Sequence, residues 1–421
     1  MNIQVSGILQ GAVTPPPSKS QAHRLLICAA LGSAQCRIMC SAVNKDIMAT
    51  MKSLCAIGAD INYSNGVFTI NPMDLKKNRT LDCGESGSTM RFLVPVAAAL
   101  GADATFVGSG KLPQRPMKDL CIALQEHGVQ ITRPADGLEL PLQCSGTLTA
   151  GHYTLPGDIS SQYITGLLFA LPLLNADSTI EVTGNLTSAS YIDMTIDALR
   201  IAGIKVGRHG STFNIKGNQH YNMPAEVVIE GDWSSAAFWL VAGVVGKHPI
   251  RLRGMNIDTL QGDSAIIEHL SKMGAHIVVD EKYITAMPSQ LHGVELNCMD
   301  TPDLLPILSV AAAAANGSTI FLNVGRLMYK ESDRLEAMRS VLAAVGITSI
   351  VGDDTFTVLG GKRVVKTAID SYGDHRIAMS AAILSTITDG EIAIIGADSV
   401  AKSYPTFFDE IIALGGNVKK L

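Results

Sequence analysis

Six times in 421 residues a polar turn opens onto a run of small apolar residues that closes at glycine or asparagine. The runs are "PSKSQAHRLLICAALG" from Pro17, "GESGSTMRFLVPVAAALG" from Gly84, "GDISSQYITGLLFALPLLN" from Gly157, "GDWSSAAFWLVAGVVG" from Gly231, "MDTPDLLPILSVAAAAANG" from Met299 and "SYGDHRIAMSAAILSTITDG" from Ser371. Their ends, at Gly32, Gly101, Asn175, Gly246, Gly317 and Gly390, recur about every 70 residues, a period that fits a small βα unit. Each run reads as a helix capped by its turn and stopped by Gly or Asn. A helix that is apolar all round has to be buried.

A second helix follows in every unit: "KDIMATMKSLCAIGADI", "RPMKDLCIALQEHGVQI", "YIDMTIDALRIAGIKV", "GDSAIIEHLSKMGAHI", "ESDRLEAMRSVLAAVGITSI" and "SYPTFFDEIIALGGNV". These are amphipathic and should face outward onto sheets, while "VQITR", "HIVVD" and "ITSIVG" after the closing glycines read as strands. The expected fold is α/β. Six units, each of two helices and several strands, make two groups of three, with the buried helices of each group enclosed by sheet. Length agrees, because 421 residues exceed what one ordinary core organises. If the buried helices of a group run parallel, their N-termini emerge together, and two facing groups aim positive helix ends at one cleft suited to polyanions. A plain solenoid competes with this reading, but its turns need no Lys, Arg, Asp and His at the helix starts.

Charged residues make up only 17% of the chain and the net charge is −5, which argues against nucleic acid as a partner. The start, "MNIQVSGILQG", lacks a basic region followed by an apolar run, and apolar runs such as "LLPILSVAAAAA" are too short to span a bilayer. A cytoplasmic protein with no membrane partner is expected. The eight cysteines form no CxxC pair and sit mostly within apolar helical patterns. They read as buried thiols, neither a disulfide frame nor a zinc site.

The stretch "TPPPSKSQAHRLLICAALG", from Thr14, is the first sign of chemistry. An N-cap at Ser18 or Ser20, with prolines behind it, explains part of it. It leaves Lys19 and Arg24 at the start of a helix, where the macrodipole disfavours cations. An anion bound there explains both.

The turns "PSKSQAHR", "GESGSTMRF", "QRPM", "GDISSQY", "SYIDMT", "PDLLPILS", "KESDRL", "GDHRIAMS" and "AKSYPTFF" resemble, in order, the signature segments of the 5-enolpyruvylshikimate-3-phosphate (EPSP) synthases, from Lys19 to Lys402. The resemblance implies a two-domain inside-out α/β barrel of six βαβαββ repeats, three per domain. Residues 1–11 and 232–421 would form a discontinuous domain and residues 12–231 an inserted one, with crossings near Gly11 and Gly231. It also implies transfer of the enolpyruvyl group of phosphoenolpyruvate to the 5-hydroxyl of shikimate 3-phosphate, with no metal or organic cofactor. A monomer is expected.

The same resemblance assigns roles. Ser160, Ser161 and Ser188 would hold the shikimate phosphate, Ser20 and Arg24 the shikimate carboxylate, and Tyr191 would lie alongside, with Lys19 and Gln162 also at this substrate. Arg334 and Arg376 would grip the phosphoenolpyruvate carboxylate; Lys19, Arg115, Gln162 and Lys402, beside Gly87 and Ser88, would hold its phosphate. Asp303 and Lys330 would meet the ring hydroxyls, Asp303 being the better candidate base. Glu331 is the candidate acid, with Lys19 and Lys402 as alternatives, and His375 is either catalytic or structural. Bland alternatives exist for Ser188, as a helix cap, and for Arg334, as an ordinary charged helix start. Two positions depart from the pattern, since Glu85 and Arg326 stand where the family often has Asn. The sister transferase acting on UDP-N-acetylglucosamine carries a reactive cysteine where this chain has Gly110. A non-catalytic binder of phosphorylated metabolites would gain nothing from Asp303 and Glu331, which weaken anion binding.

Overall fold

A computed structural model describes residues 1–361, 367–388 and 390–421. The six apolar runs form the helices Lys19–Ala30, Gly87–Leu100, Ser161–Ala170, Trp233–Val245, Leu305–Ala314 and His375–Leu384, with most of their residues buried. Five start from a side-chain cap. Ser18, Ser86, Ser160, Asp232 and Asp374 each accept a backbone N–H two or three residues ahead, so the first cap is Ser18 and not Ser20. Leu305–Ala314 instead follows the 3-10 turn Pro302–Leu304, with no side-chain cap. Two helices stop earlier than their runs suggest. Ser161–Ala170 passes into the 3-10 turn Leu171–Leu173, where Pro172 cannot continue an α-helix, and His375–Leu384 passes into Ser385–Ile387.

The described strands form six four-stranded sheets with one recurring order. In one, Arg79–Asp82 pairs in parallel with Ala104–Val107, across the buried helix; Ala104–Val107 pairs antiparallel with Leu142–Gly146, which pairs antiparallel with Val129–Thr132. That is a βαβαββ unit. The order survives where the chain must close on itself: Ile3–Ser6 inserts between Ile392–Ile395 and Asn417–Lys420, completing the last sheet with the first strand.

The chain divides into two compact units, Met1–Pro16 with Glu230–Leu421, and Pro17–Ile229. Residues 12–16, expected in the inserted domain, belong to the discontinuous one. Gly11–Val13 pairs in parallel with Ile250–Leu252, and the Pro16 carbonyl accepts the Asp232 N–H at 2.8 Å. Glu230 and Gly231 also fall there, because Glu230 accepts from Thr259 at 2.6 Å and the Gly231 carbonyl accepts from Gln261 at 2.9 Å. Hydrogen bonds, rather than glycines, set the crossings.

One close approach positions site residues. Pro95 lies inside Gly87–Leu100 and offers no N–H to the Arg91 carbonyl four residues back. A Cβ on Gly166 would lie 2.3 Å from that carbonyl oxygen and 3.0 Å from the Pro95 ring. Only glycine lets Ser161–Ala170 come so near, and this proximity brings Arg91 against Gln162, one turn before Gly166.

The cysteines are placed differently from the expectation, with Cys28, Cys55 and Cys121 in helices, Cys36 and Cys144 in strands, and the others in loops after strands. None forms a disulfide, and all but Cys55 are buried. Desolvation pushes the Cys121 thiol up to about 12, far from the reactive thiolate range. Among the described residues, no helix is long and apolar enough to cross a membrane.

Candidate active site

In the discontinuous unit, one arginine gathers three carboxylates. Arg334, the first residue of the helix Arg334–Ala344, is 1% exposed. Its Nε donates to Asp374 at 2.8 Å, its Nη1 to Asp303 at 2.6 Å and its Nη2 to Glu331 at 2.8 Å. An ordinary solvated helix start is therefore excluded. The second oxygen of Asp303 accepts from Arg376 at 3.1 Å, and Lys330 Nζ lies 3.7 Å from the first. Lys402 Nζ stands 3.7 Å from Glu331. Asp374 also accepts from Ser332 and from the Arg376 N–H, while His375 Nδ1 lies 3.6 Å from it, almost wholly buried. Six of the expected site residues, Asp303, Lys330, Glu331, Arg334, Arg376 and Lys402, thus meet in one cluster, with His375 behind Asp374.

Charge sets the protonation states there. Burial opposes ionisation of Asp303, but Arg376, Lys330 and Arg334 together hold its carboxyl well below the usual range. Burial, with Arg334 and Arg326 nearby, lowers Lys330 to about 8 against the pull of Asp303. If Lys330 meets shikimate 3-phosphate, as the resemblance implies, loss of its charge should weaken that binding progressively as pH rises through about 8. The dissociation constant should climb by up to about tenfold per pH unit, and Lys330→Arg should flatten the profile. Calorimetric titration between pH 7 and 9 measures this; a flat parent profile would remove Lys330 from the contact.

In the unit Pro17–Ile229 the starts of two helices meet. Gln162 accepts from Arg91 Nη1 at 2.7 Å and donates to Ser88 Oγ at 2.9 Å. A Cβ on Gly87 would stand 2.9 Å from Arg115 Nη1 and 3.1 Å from Arg91 Nη1, so both guanidiniums crowd the first turn of Gly87–Leu100. The turn supplies backbone N–H groups and the positive end of a helix dipole. Gly87, Ser88, Arg115 and Gln162 are brought together. Lys19 pairs with Asp46 at 2.9 Å, a partner that the sequence reading missed.

Arg24 is buried, its Nε on Thr195 Oγ1 at 2.9 Å and its Nη groups on the carbonyls of Ser20 and Tyr191 at 2.7 Å each. Ser20, Arg24 and Tyr191 are thereby linked. Ser160 caps the helix that begins at Ser161. Ser188 precedes Ala189–Ile201 but makes no side-chain cap bond, and it holds a left-handed backbone, φ 55°, while buried. Capping therefore does not explain it, and non-glycine residues so placed concentrate at functional sites. Ser188→Gly should relieve about 1 kcal/mol of backbone strain and raise the thermal midpoint, and, if Ser188 holds the shikimate phosphate as the resemblance implies, weaken binding of that substrate. A midpoint that falls with unchanged binding would contradict this.

A profile of the family described as EPSP synthase (3-phosphoshikimate 1-carboxyvinyltransferase) matches residues 3–411. The chain belongs to the EPSP synthase family. Curated 3-phosphoshikimate 1-carboxyvinyltransferases from Clostridium acetobutylicum and Clostridium kluyveri are 40% and 42% identical over 416 and 413 residues, covering 97% of this chain and 96% of each relative. An EPSP synthase structure from Acinetobacter baumannii superposes with a TM-score of 0.84 at 26% identity, covering both chains completely. The two-domain, inside-out barrel of that family accounts for the recurring sheets and buried helices described above.

Two departures from the EPSP synthase pattern find local explanations. Glu85 is exposed, and its carboxylate lies where a Cβ on Gly110 would be only 2.5 Å away. It thus sits over a glycine backbone with φ +59°. Arg326 donates to the Met299 carbonyl, bracing the segment that leads to Asp303. Sequence reasoning missed Arg91 and Asp46 as supports, and Asp374 as the partner of Arg334. Arg91 and Asp374 stood inside the quoted motifs "GESGSTMRF" and "GDHRIAMS", next to residues that were assigned.

Proposed function

We propose that this chain carries out 3-phosphoshikimate 1-carboxyvinyl transfer, the family's activity, with Asp303 and Glu331 as its proton-handling groups. The reaction joins the 5-hydroxyl oxygen of shikimate 3-phosphate to C2 of phosphoenolpyruvate as C3 gains a proton, giving a tetrahedral intermediate. Loss of phosphate from C2 and of a proton from C3 then yields the enolpyruvyl product and inorganic phosphate. The observation that carries the reading is Asp303 held by Arg334, Arg376 and Lys330, with Glu331 between Arg334 and Lys402.

In this reading the phosphoenolpyruvate carboxylate takes Arg334 and Arg376, as planar forks suited to two oxygens. Drawing those cations away from Asp303 removes what holds its carboxyl down, so substrate binding itself raises the basicity of the base. Asp303 then accepts the 5-hydroxyl proton, and Glu331, whose carboxylate lies 3.7 Å from Lys402, exchanges a proton with C3. Lys19, Arg115, Gln162 and the Gly87–Ser88 turn, in the unit Pro17–Ile229, are assigned to the departing phosphate, where they would stabilise charge as it develops. Ser160, Ser161 and Ser188 take the phosphate of shikimate 3-phosphate, and Ser20, Arg24 and Tyr191 lie at its ring and carboxylate.

Phosphate release from phosphoenolpyruvate tests the reading. It should require shikimate 3-phosphate and proceed without added metal. Release with UDP-N-acetylglucosamine instead would favour the sister activity, and release with neither acceptor would leave a binding protein.

A further inference from the structure

Four buried polar side chains in the unit Pro17–Ile229 have no role in that chemistry, yet they form one continuous hydrogen-bond chain. His23 Nδ1 lies 2.7 Å from Thr50 Oγ1, Thr50 Oγ1 lies 2.6 Å from Thr89 Oγ1, and Thr89 Oγ1 donates to Ser86 Oγ at 2.8 Å. None is more than 1% exposed. Proton counting sets the polarity. Ser86 Oγ is an acceptor, taking the Thr89 N–H at 3.2 Å as well as the Thr89 hydroxyl. A hydroxyl has one proton, so Thr89, having donated to Ser86, accepts from Thr50, and Thr50 accepts from His23 Nδ1–H. His23 Nε2, buried without a hydrogen-bond partner among the described residues, is then a bare lone pair and not an orphaned N–H.

The chain belongs to a ladder. His23 follows Lys19 by four residues and Thr50 follows Asp46 by four, so the Lys19–Asp46 and His23–Thr50 contacts are successive rungs between Lys19–Ala30 and Lys45–Ala56. Thr50 to Thr89 then ties these rungs to the first turn of Gly87–Leu100. Lys19 and the Gly87–Ser88 turn, the two phosphate contacts on different helices, are joined through Thr50.

We propose that His23, Thr50, Thr89 and Ser86 are positioning residues that hold Lys19 and the Gly87–Ser88 turn at the separation a phosphoenolpyruvate phosphate needs. The proposal rests on the assignment of that phosphate to Lys19, Gly87 and Ser88. Burial supports it by lowering His23 to about 3, against the pull of Asp46 and with the push of Lys19 and Arg24, so the ring stays neutral during turnover.

Thr50→Val keeps the side-chain shape and removes both hydrogen bonds. KM for phosphoenolpyruvate should rise about tenfold, well beyond any rise in KM for shikimate 3-phosphate, with kcat within about twofold, and Thr50→Ser should restore it. An unchanged KM for phosphoenolpyruvate, or a parallel loss of all three constants that Thr50→Ser does not rescue, would overturn the proposal. Nitrogen-15 spectra of labelled parent protein give a readout that needs no variant: His23 should be the Nδ1–H tautomer and should not titrate above about pH 5. An Nε2–H tautomer would reverse the polarity and refute the chain. Absence of acceptor-dependent phosphate release in the parent would count against the substrate assignment instead, leaving the tautomer result intact.

Discussion

The Asp303→Asn enzyme should turn over about 10²–10⁴-fold more slowly than the parent, the usual range for a positioned acid or base. Asparagine keeps the shape, and its single oxygen can still accept from Arg334 or from Arg376, which hold different oxygens of Asp303, so part of the cluster is retained. What is lost is a negative charge beside three cations and a group able to take the 5-hydroxyl proton. The two losses act in opposite directions on different constants. Removing a carboxylate that competes for Arg334 and Arg376 should leave KM for phosphoenolpyruvate equal or lower, while kcat falls. Shikimate 3-phosphate should bind within severalfold of normal, because its phosphate and carboxylate are assigned to other residues. Steady-state kinetics with both substrates varied separates these effects. Near-parent kcat in a folded variant would take Asp303 out of the mechanism, and a rise in KM alone would make it a binding residue.

Arg334→Met should cost about 3–5 kcal/mol of stability, the scale for removing one partner of a buried ion cluster. Methionine fills much of the space but leaves Asp374, which is fully buried, facing Asp303 and Glu331 with their common cation gone. Denaturant unfolding followed by tryptophan fluorescence reports on this unit, since both tryptophans, Trp233 and Trp239, lie in it. The midpoint should fall sharply. Adding Glu331→Gln and Asp374→Asn should recover part of the stability and none of the activity. The pH dependence has a definite sign. Asp303, whose carboxyl Arg334 helps hold below its ordinary value, contributes stability above about pH 4 and loses it as pH falls through its lower folded value. The gap between parent and variant should therefore narrow in acid. An unchanged midpoint at neutral pH would mean that the three carboxylates find other cations.

What could be read from the sequence was short-range. Six polar turns followed by small apolar residues specify buried helices through periodicity and capping, and Ser86, Ser160, Asp232 and Asp374 cap where such residues are expected to. Lys19 and Arg24 stood out as cations at a helix start, while the other cations and the carboxylates of the site were assigned through the family resemblance. Their partners were not visible. Arg334 meets Asp303 across 31 residues and Asp374 across 40, and Arg24 meets Tyr191 across 167, separations that only the packing of repeats brings to a few ångströms. The same is true of the approach of Gly166 to the Arg91 carbonyl, to which Pro95 offers no N–H, and of the left-handed Ser188. Local propensity selects each helix and its polar end. Tertiary packing alone decides which charges neutralise one another, because an ion pair depends on three-dimensional distance and on the water excluded around it.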